Sequence, residues 1–157
     1  MTTVNVYLTF KGNCEEAFNF YKSVFGGDFT YIGRFSEMPS QDGKPMPANV
    51  ANKIMHVSLP VSNETILMGS DEVEGFAPPV VYGNNFGISI NTDSKANADN
   101  FFNKLSAGGR ANMPMSDQFW GAYFGMLTDK YGINWMVNFD QNQQASNGQK
   151  KEASAHA

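Results

Sequence analysis

The chain has 157 residues, of which 41% are apolar, 13% aromatic and 17% charged, a composition that buries a core in one domain or two small modules and excludes a wholly disordered chain. A net charge of −4 leaves no electrostatic footprint for nucleic acid or for an anionic membrane surface. A single cysteine, Cys14, excludes an internal disulfide and a cysteine-cluster zinc site.

No apolar run approaches the ~20 residues of a membrane span, and none near the start has the form of a signal peptide, so the expected location is the cytoplasm. The histidines are His56 and His156. His156 falls in a terminal stretch, 141–157, that contains no Leu, Ile, Val, Phe, Tyr or Trp and reads as a disordered tail. The folded body then has one imidazole, which excludes HExxH and other paired-histidine sites. GxGxxG is absent too, which argues against a Rossmann-type site for a dinucleotide or a methyl donor.

Val4 to Phe10 alternates apolar and polar residues and predicts a strand. Asn13, with Glu16 three residues on, reads as the capped start of a helix carrying Ala17, Phe20, Tyr21, Val24 and Phe25. Gly26-Gly27 ends it. Phe29 to Phe35 is a second strand. Ser36 to Lys53, with Pro39, Pro45 and Pro47, is a long loop whose Met38 and Met46 suit either an adaptable lid or an irregular insertion. Ile54 to Val61 and Thr65 to Gly69 form a hairpin, and Asp71 to Tyr82 reads as a linker.

The second half repeats this order. Asn85 to Asn91 is a strand, and Asp93 or Ser94 caps a helix with Ala98, Phe101, Phe102 and Leu105. Gly108-Gly109 ends that helix. Ala111 to Ser116, Tyr123 to Thr128 and Ile133 to Phe139 follow as strands. Phe20-Tyr21 maps onto Phe101-Phe102 and Val24 onto Leu105, so a strand, helix and three strands recur as a duplicated unit. The expected fold is α+β, two βαβββ modules in one domain over 1–140: module one 3–70, a linker 71–84, module two 85–140, then the tail 141–157.

His56 is the one side chain of the body that exchanges a proton near neutral pH; a partly buried histidine bonded to a neighbour is the plainer reading. By parity it shares a strand face with Ile54 and Ser58, opposite Met55, Val57 and Leu59. Asn5, Tyr7 and Thr9 share the polar face of the first strand, and Ser89 and Asn91 that of the fifth. These are ligand-bonding walls or the solvent face of an edge strand. Trp120, beside Gly121 on a loop edge, suits an aromatic clamp, whereas Trp135 suits the core. Asp71, Glu72 and Glu74 read as a solvated surface run. Cys14, at a helix start, is expected to have a lowered thiol pKa and a structural role.

Tyr7-Leu8-Thr9-Phe10, Gly12-Asn13-Cys14-Glu15-Glu16-Ala17, Phe20-Tyr21, Phe25-Gly26-Gly27, Lys53-Ile54-Met55-His56, Met68-Gly69-Ser70-Asp71, Trp120-Gly121 and Gly132-Ile133-Asn134-Trp135-Met136-Val137 together resemble the vicinal oxygen chelate (glyoxalase/bleomycin resistance/dioxygenase) superfamily. The likeness covers about 4–139 and is strongest to the PhnB-like branch, often labelled demethylubiquinone methyltransferase-like. It implies a cup-shaped mixed sheet, a small-molecule ligand and a homodimer. It also implies four metal-ligand positions, which fall near Asn5, on His56, on Phe86 (or Gly87) and near Met136. Only His56 is an ordinary ligand for a divalent ion. The resemblance therefore implies a binder of a small apolar or aromatic metabolite without an intact glyoxalase-type metal site, and no cofactor is assigned. The candidate contacts are Asn5, Tyr7, Thr9, His56, Ser58, Ser89 and Trp120. The rival is a lyase, isomerase or dioxygenase in which His56 joins a divalent metal or acts alone as a base.

Overall fold

The structure is a computed structural model, and it describes residues 2–40 and 42–142; His156 and most of the terminal stretch read as a tail lie outside them. The chain divides into two compact units, Met1–Val81 and Tyr82–Ala157. Unit one runs β1 (Val6–Phe10), α1 (Cys14–Phe25), β2 (Tyr31–Arg34), a 3-10 turn (Phe35–Glu37), the short α2 (Ala48–Ala51), β3 (Ile54–Pro60) and β4 (Ile66–Asp71). Unit two runs β5 (Ile88–Asn91), α3 (Lys95–Ser106), β6 (Arg110–Asp117), β7 (Ala122–Thr128) and β8 (Asn134–Asp140).

The two sheets have one topology. Unit one orders its strands β1-β4-β3-β2 and unit two β5-β8-β7-β6. In each, the first strand pairs parallel to the last, and every other pairing is antiparallel. Among the described residues the fold is α+β, with two mixed four-stranded sheets.

Strand alternation sets what each helix covers. In unit one Leu8, Phe10, Val57, Leu59 and Leu67 are buried with Phe18, Tyr21 and Val24 of α1. The sequence pattern put Phe20 and Phe25 on this helix face; Phe18 is the residue that goes inside. A Cβ on Gly69 would stand 2.6 Å from the Phe18 ring and 2.7 Å from the Leu8 carbonyl oxygen, so the glycine makes room for that ring. Unit two repeats the device: a Cβ on Gly125 would lie 2.9 Å from the Phe102 ring of α3.

Helix α1 is not capped as its local sequence suggests. Asn13 makes no side-chain cap bond. The Cys14 N–H donates instead to Asp71 Oδ1 at 2.9 Å, and the Ile54 N–H donates to Asp71 Oδ2 at 2.9 Å. Asp71 is therefore no solvated surface residue: β4 extends to it, it is 5% exposed, and its carboxylate ties the positive end of α1 to the start of β3. In α3 the local signal holds, since Ser94 Oγ accepts from the Asn97 N–H at 3.2 Å.

The same contact overturns the expectation for Cys14. The thiol is fully buried, and burial first, then the charges of Asp71 and Glu15, pushes its pKa up rather than down. Native protein is expected to react with a disulfide reagent at pH 8 about a hundredfold more slowly than the urea-unfolded chain. Equal rates would contradict this placement.

Candidate functional site

The face of the first sheet turned away from α1 carries Tyr7 and Thr9 of β1, Met68 and Ser70 of β4, and His56 and Ser58 of β3. Register joins them directly: Tyr7 pairs with Met68, Thr9 with Ser70, and Ser58 with Met68. Parity alone misplaces the start of β3. The β2–β3 ladder pairs Gly33 with His56 and then Arg34 with Ile54, skipping Met55. This bulge sends Ile54 into the core at 1% exposure and leaves Met55 on the His56 side.

His56 sits in a chain of neutral hydroxyls. Tyr7 Oη lies 3.2 Å from His56 Nδ1, and Ser58 Oγ lies 2.9 Å from His56 Nε2. In its neutral form an imidazole offers one donor and one acceptor, and in that form one hydroxyl donates to the ring while the other accepts from it. The Tyr7 ring stacks on His56 at 5.6 Å and 28°, and the Tyr31 ring flanks it at 5.8 Å. Gly33, opposite His56 in β2, makes this possible, because a Cβ there would stand 2.8 Å from Tyr31 Cζ.

Tyr7 also belongs to the wall of a cleft of about 360 Å³, with Thr9 and Ser70 as polar neighbours and Phe35, Met55 and Phe76 as apolar ones. Asp71 and Glu72 line it too. Both Asp71 oxygens are taken by main-chain N–H groups, and Lys53 Nζ donates to the Glu72 carbonyl at 2.9 Å. An anionic ligand would meet two carboxylates here. A neutral one with a hydroxyl or carbonyl finds hydrogen-bonding partners in Tyr7, Thr9 and Ser70.

The other expected contacts are placed differently. Asn5 precedes β1, and its Oδ1 accepts the Ile66 N–H at 3.1 Å, so it serves the start of β4. The first-strand group beside His56 is Tyr7. In the second sheet, Ser89 is exposed and pairs with Met136 as Tyr7 pairs with Met68. Following that correspondence, Phe124 stands where His56 stands and Met126 where Ser58 stands, so unit two has no imidazole counterpart. Trp120 is 52% exposed and meets Phe119 at 5.1 Å and Phe124 at 6.3 Å, an aromatic group at the β6–β7 turn. Trp135 is core, at 1% exposure.

Sequence reasoning missed Tyr31, Gly33, Met55, Ser70 and Phe76. Ser70 was accessible by extending the alternation of β4 by one step. The rest depend on the bulge and on chain segments without a period.

The donors around His56 do not fit a divalent ion. They are the neutral hydroxyls of Tyr7 and Ser58, with Met68 on the same face, whereas such ions take several N, thiolate or carboxylate ligands. Among the described residues no three His, Cys, Asp or Glu side chains are grouped so that they could hold a metal ion.

Comparison with known proteins agrees with this architecture. The sequence profile described as 3-demethylubiquinone-9 3-methyltransferase matches residues 2–138. PA1353 from Pseudomonas aeruginosa has a similar crystal structure, with 39% identity, a TM-score of 0.78, and coverage of 90% of this chain and 99% of that one. A Bacillus cereus protein described as a putative 3-demethylubiquinone-9 3-methyltransferase, PhnB protein, is 25% identical with a TM-score of 0.68, covering 88% and 99%. A glyoxylase/bleomycin resistance protein/dioxygenase domain from Frankia shares the fold at 11% identity and a TM-score of 0.62, covering 89% and 92%. A match across nearly the whole folded chain, on twin βαβββ sheets, means that this protein belongs to the PhnB-like 3-demethylubiquinone-9 3-methyltransferase family, with a fold shared by the glyoxylase/bleomycin resistance protein/dioxygenase domain.

Proposed function

We propose that the protein binds a small, neutral, apolar or aromatic metabolite in the unit-one cleft, without using a glyoxalase-type metal site. The observation that carries this reading is the Tyr7–His56–Ser58 chain beside an apolar wall. The imidazole has both nitrogens engaged by hydroxyls, and Tyr7 is the group of that chain that reaches the cleft wall. A ligand hydroxyl or carbonyl bonds to Tyr7, Thr9 or Ser70, while Phe35, Met55 and Phe76 cover its apolar body. Ser89 and Trp120, both in unit two, remain proposed contacts that the resemblance alone carries. A homodimer, carried by the resemblance, and a cytoplasmic location remain part of the proposal; among the described residues no helix is long and apolar enough to cross a membrane.

The family's description names methyl transfer. In a Rossmann-type site a helix N-terminus presents free N–H groups to the cofactor. Here the N-terminus of α1 is filled by the Asp71 carboxylate, and no methyl-transfer step is assigned to it.

Thermal shift with phenol tests the reading. Saturating phenol is expected to raise the melting temperature of the wild type. Tyr7→Phe, which keeps the ring and removes the hydroxyl, is expected to weaken phenol about fivefold, the worth of one hydrogen bond of about 1 kcal/mol. Absence of any shift would overturn the proposal. One observation favours the enzymatic rival, the contact of Tyr7 Oη with His56 Nδ1, which gives a path for a proton from the cleft to the imidazole. Under that reading His56→Ala abolishes turnover of a ligand that the variant still binds.

A further inference from the structure

The second sheet carries a row of thioethers. Met113 of β6 pairs with Met126 of β7, and Met126 pairs with Met136 of β8, so three methionines stand side by side on adjacent strands. Paired residues put their Cβ atoms about 5 Å apart on one face. Met126 is 38% exposed, and Met113 and Met136 are half-buried. Leu127, Trp135 and Val137, their neighbours along β7 and β8, are buried, so the row lies on the face turned away from the core.

A bulge builds this row. The β6–β7 ladder pairs Ala111 with Leu127 and then Met113 with Met126, skipping Asn112. Unbroken pairing would set Met113 opposite Gly125, whose Cβ position faces the Phe102 ring of α3. The extra residue re-aims the thioether to the open face, beside Met126. A polar ladder next to the row ties the same three strands together. Asn112 Nδ2 donates to Thr128 Oγ1 at 2.8 Å, and Thr128 Oγ1 donates to Asn134 Oδ1 at 2.8 Å. On the other side of the row Phe124 pairs with Asn138 and with Ser116.

These flanking side chains are amides, hydroxyls and a phenyl ring, with no carboxylate or imidazole among them, so they offer a divalent ion none of its usual charged or nitrogen ligands. Thioethers are soft, neutral donors, and the ion they select is soft and monovalent. The geometry points to a Cu(I) site formed by Sδ of Met113, Met126 and Met136. The outer two side chains are flexible enough to lean over the central strand. Met136 Cε lies 3.5 Å from where a Cβ on Gly87 would stand, so this side chain turns from Gly87 toward Met126 when it ligates. The site belongs wholly to unit two and uses neither His56 nor any residue of the unit-one cleft.

Silver nitrate tests this, because Ag(I) is a soft monovalent ion that is stable in air. The chain is labelled with carbon-13 at its methionine ε-methyl groups and titrated by NMR. One equivalent is expected to shift the signals of Met113, Met126 and Met136 together and to leave those of Met55 and Met68 in place. Met126→Leu, of similar volume, keeps the sheet face apolar and removes the central ligand. It is expected to weaken Ag(I) at Met113 and Met136 by at least about tenfold. Cys14→Ala removes the single thiol and is expected to leave the three shifts unchanged; the same spectra show whether each variant is folded. Shifts confined to other methionines, or three signals that move at different silver concentrations, would overturn the site. So would an undiminished response in Met126→Leu, or a response lost in folded Cys14→Ala.

Discussion

Replacing Asp129 by alanine is expected to lower the unfolding free energy by about 4 kcal/mol, or the melting temperature by about 10 °C. The carboxylate is 3% exposed and serves three donors of the β7–β8 turn. Oδ1 accepts the N–H groups of Tyr131 at 2.8 Å and Ile133 at 3.0 Å, and Oδ2 accepts Trp135 Nε1 at 2.9 Å. Removing the acceptor leaves buried donors without partners, which costs more than the bonds themselves contribute. Trp135→Phe leaves no orphan N–H, but it takes from the buried Asp129 Oδ2 the bond that the indole donates. Its loss is expected to be smaller, about 2 kcal/mol for one bond to a carboxylate, with a packing cost added. Both values come from urea denaturation followed by circular dichroism, which does not depend on the tryptophan. A loss below about 1 kcal/mol for Asp129→Ala would show that the turn finds other acceptors.

Asp71→Ala is expected to cost about 3 kcal/mol by the same reasoning. Here the bonds run between distant parts of unit one: the first N–H of α1 and the first residue of β3 both end on this side chain. The helix loses a negative charge at its positive end as well. Asp71→Asn keeps the shape and one acceptor oxygen but turns an NH₂ group toward one of the two main-chain donors. It is expected to recover less than half of the loss. Urea denaturation measures both, and an Asp71→Asn variant as stable as the wild type would show that the carboxylate accepts only one of these bonds. The Cys14 thiol offers a separate readout, since loosening of α1 is expected to raise its reaction rate in Asp71→Ala.

These two aspartates mark where the sequence stops being legible. Alternation from Val4 to Phe10 and in the other strands predicts every strand to within three residues at either end, because one face of each is buried and the other is not. Gly26-Gly27 and Ser94 bound their helices through local chemistry that a short window displays. Asp71 acts on Cys14 and Ile54, far away along the chain, so its local acidic neighbourhood suggested solvent. For the same reason Asn13 looked like a cap and is not one. In the site, Tyr7 with Thr9 and His56 with Ser58 share strand faces as the alternation says, and the strand pairing brings the two sets together. Met55 joins them only through a bulge, and Phe76 through an aperiodic segment whose position depends on buried Val73. Asn5, two residues before Tyr7, has the right parity but lies outside the strand, where its amide is drawn to the Ile66 N–H.

Under the proposed function a neutral hydroxyl chain, and not an ion, receives the ligand in unit one. Phenol is titrated into protein purified without chelator and again after exhaustive EDTA treatment, with metal content measured on both samples. The same affinity is expected in both, whatever trace metal is found, with a weakening of about fivefold in Tyr7→Phe. Stoichiometric metal that is lost in His56→Ala, together with phenol binding that EDTA abolishes and the metal restores, would overturn the hydroxyl-chain reading.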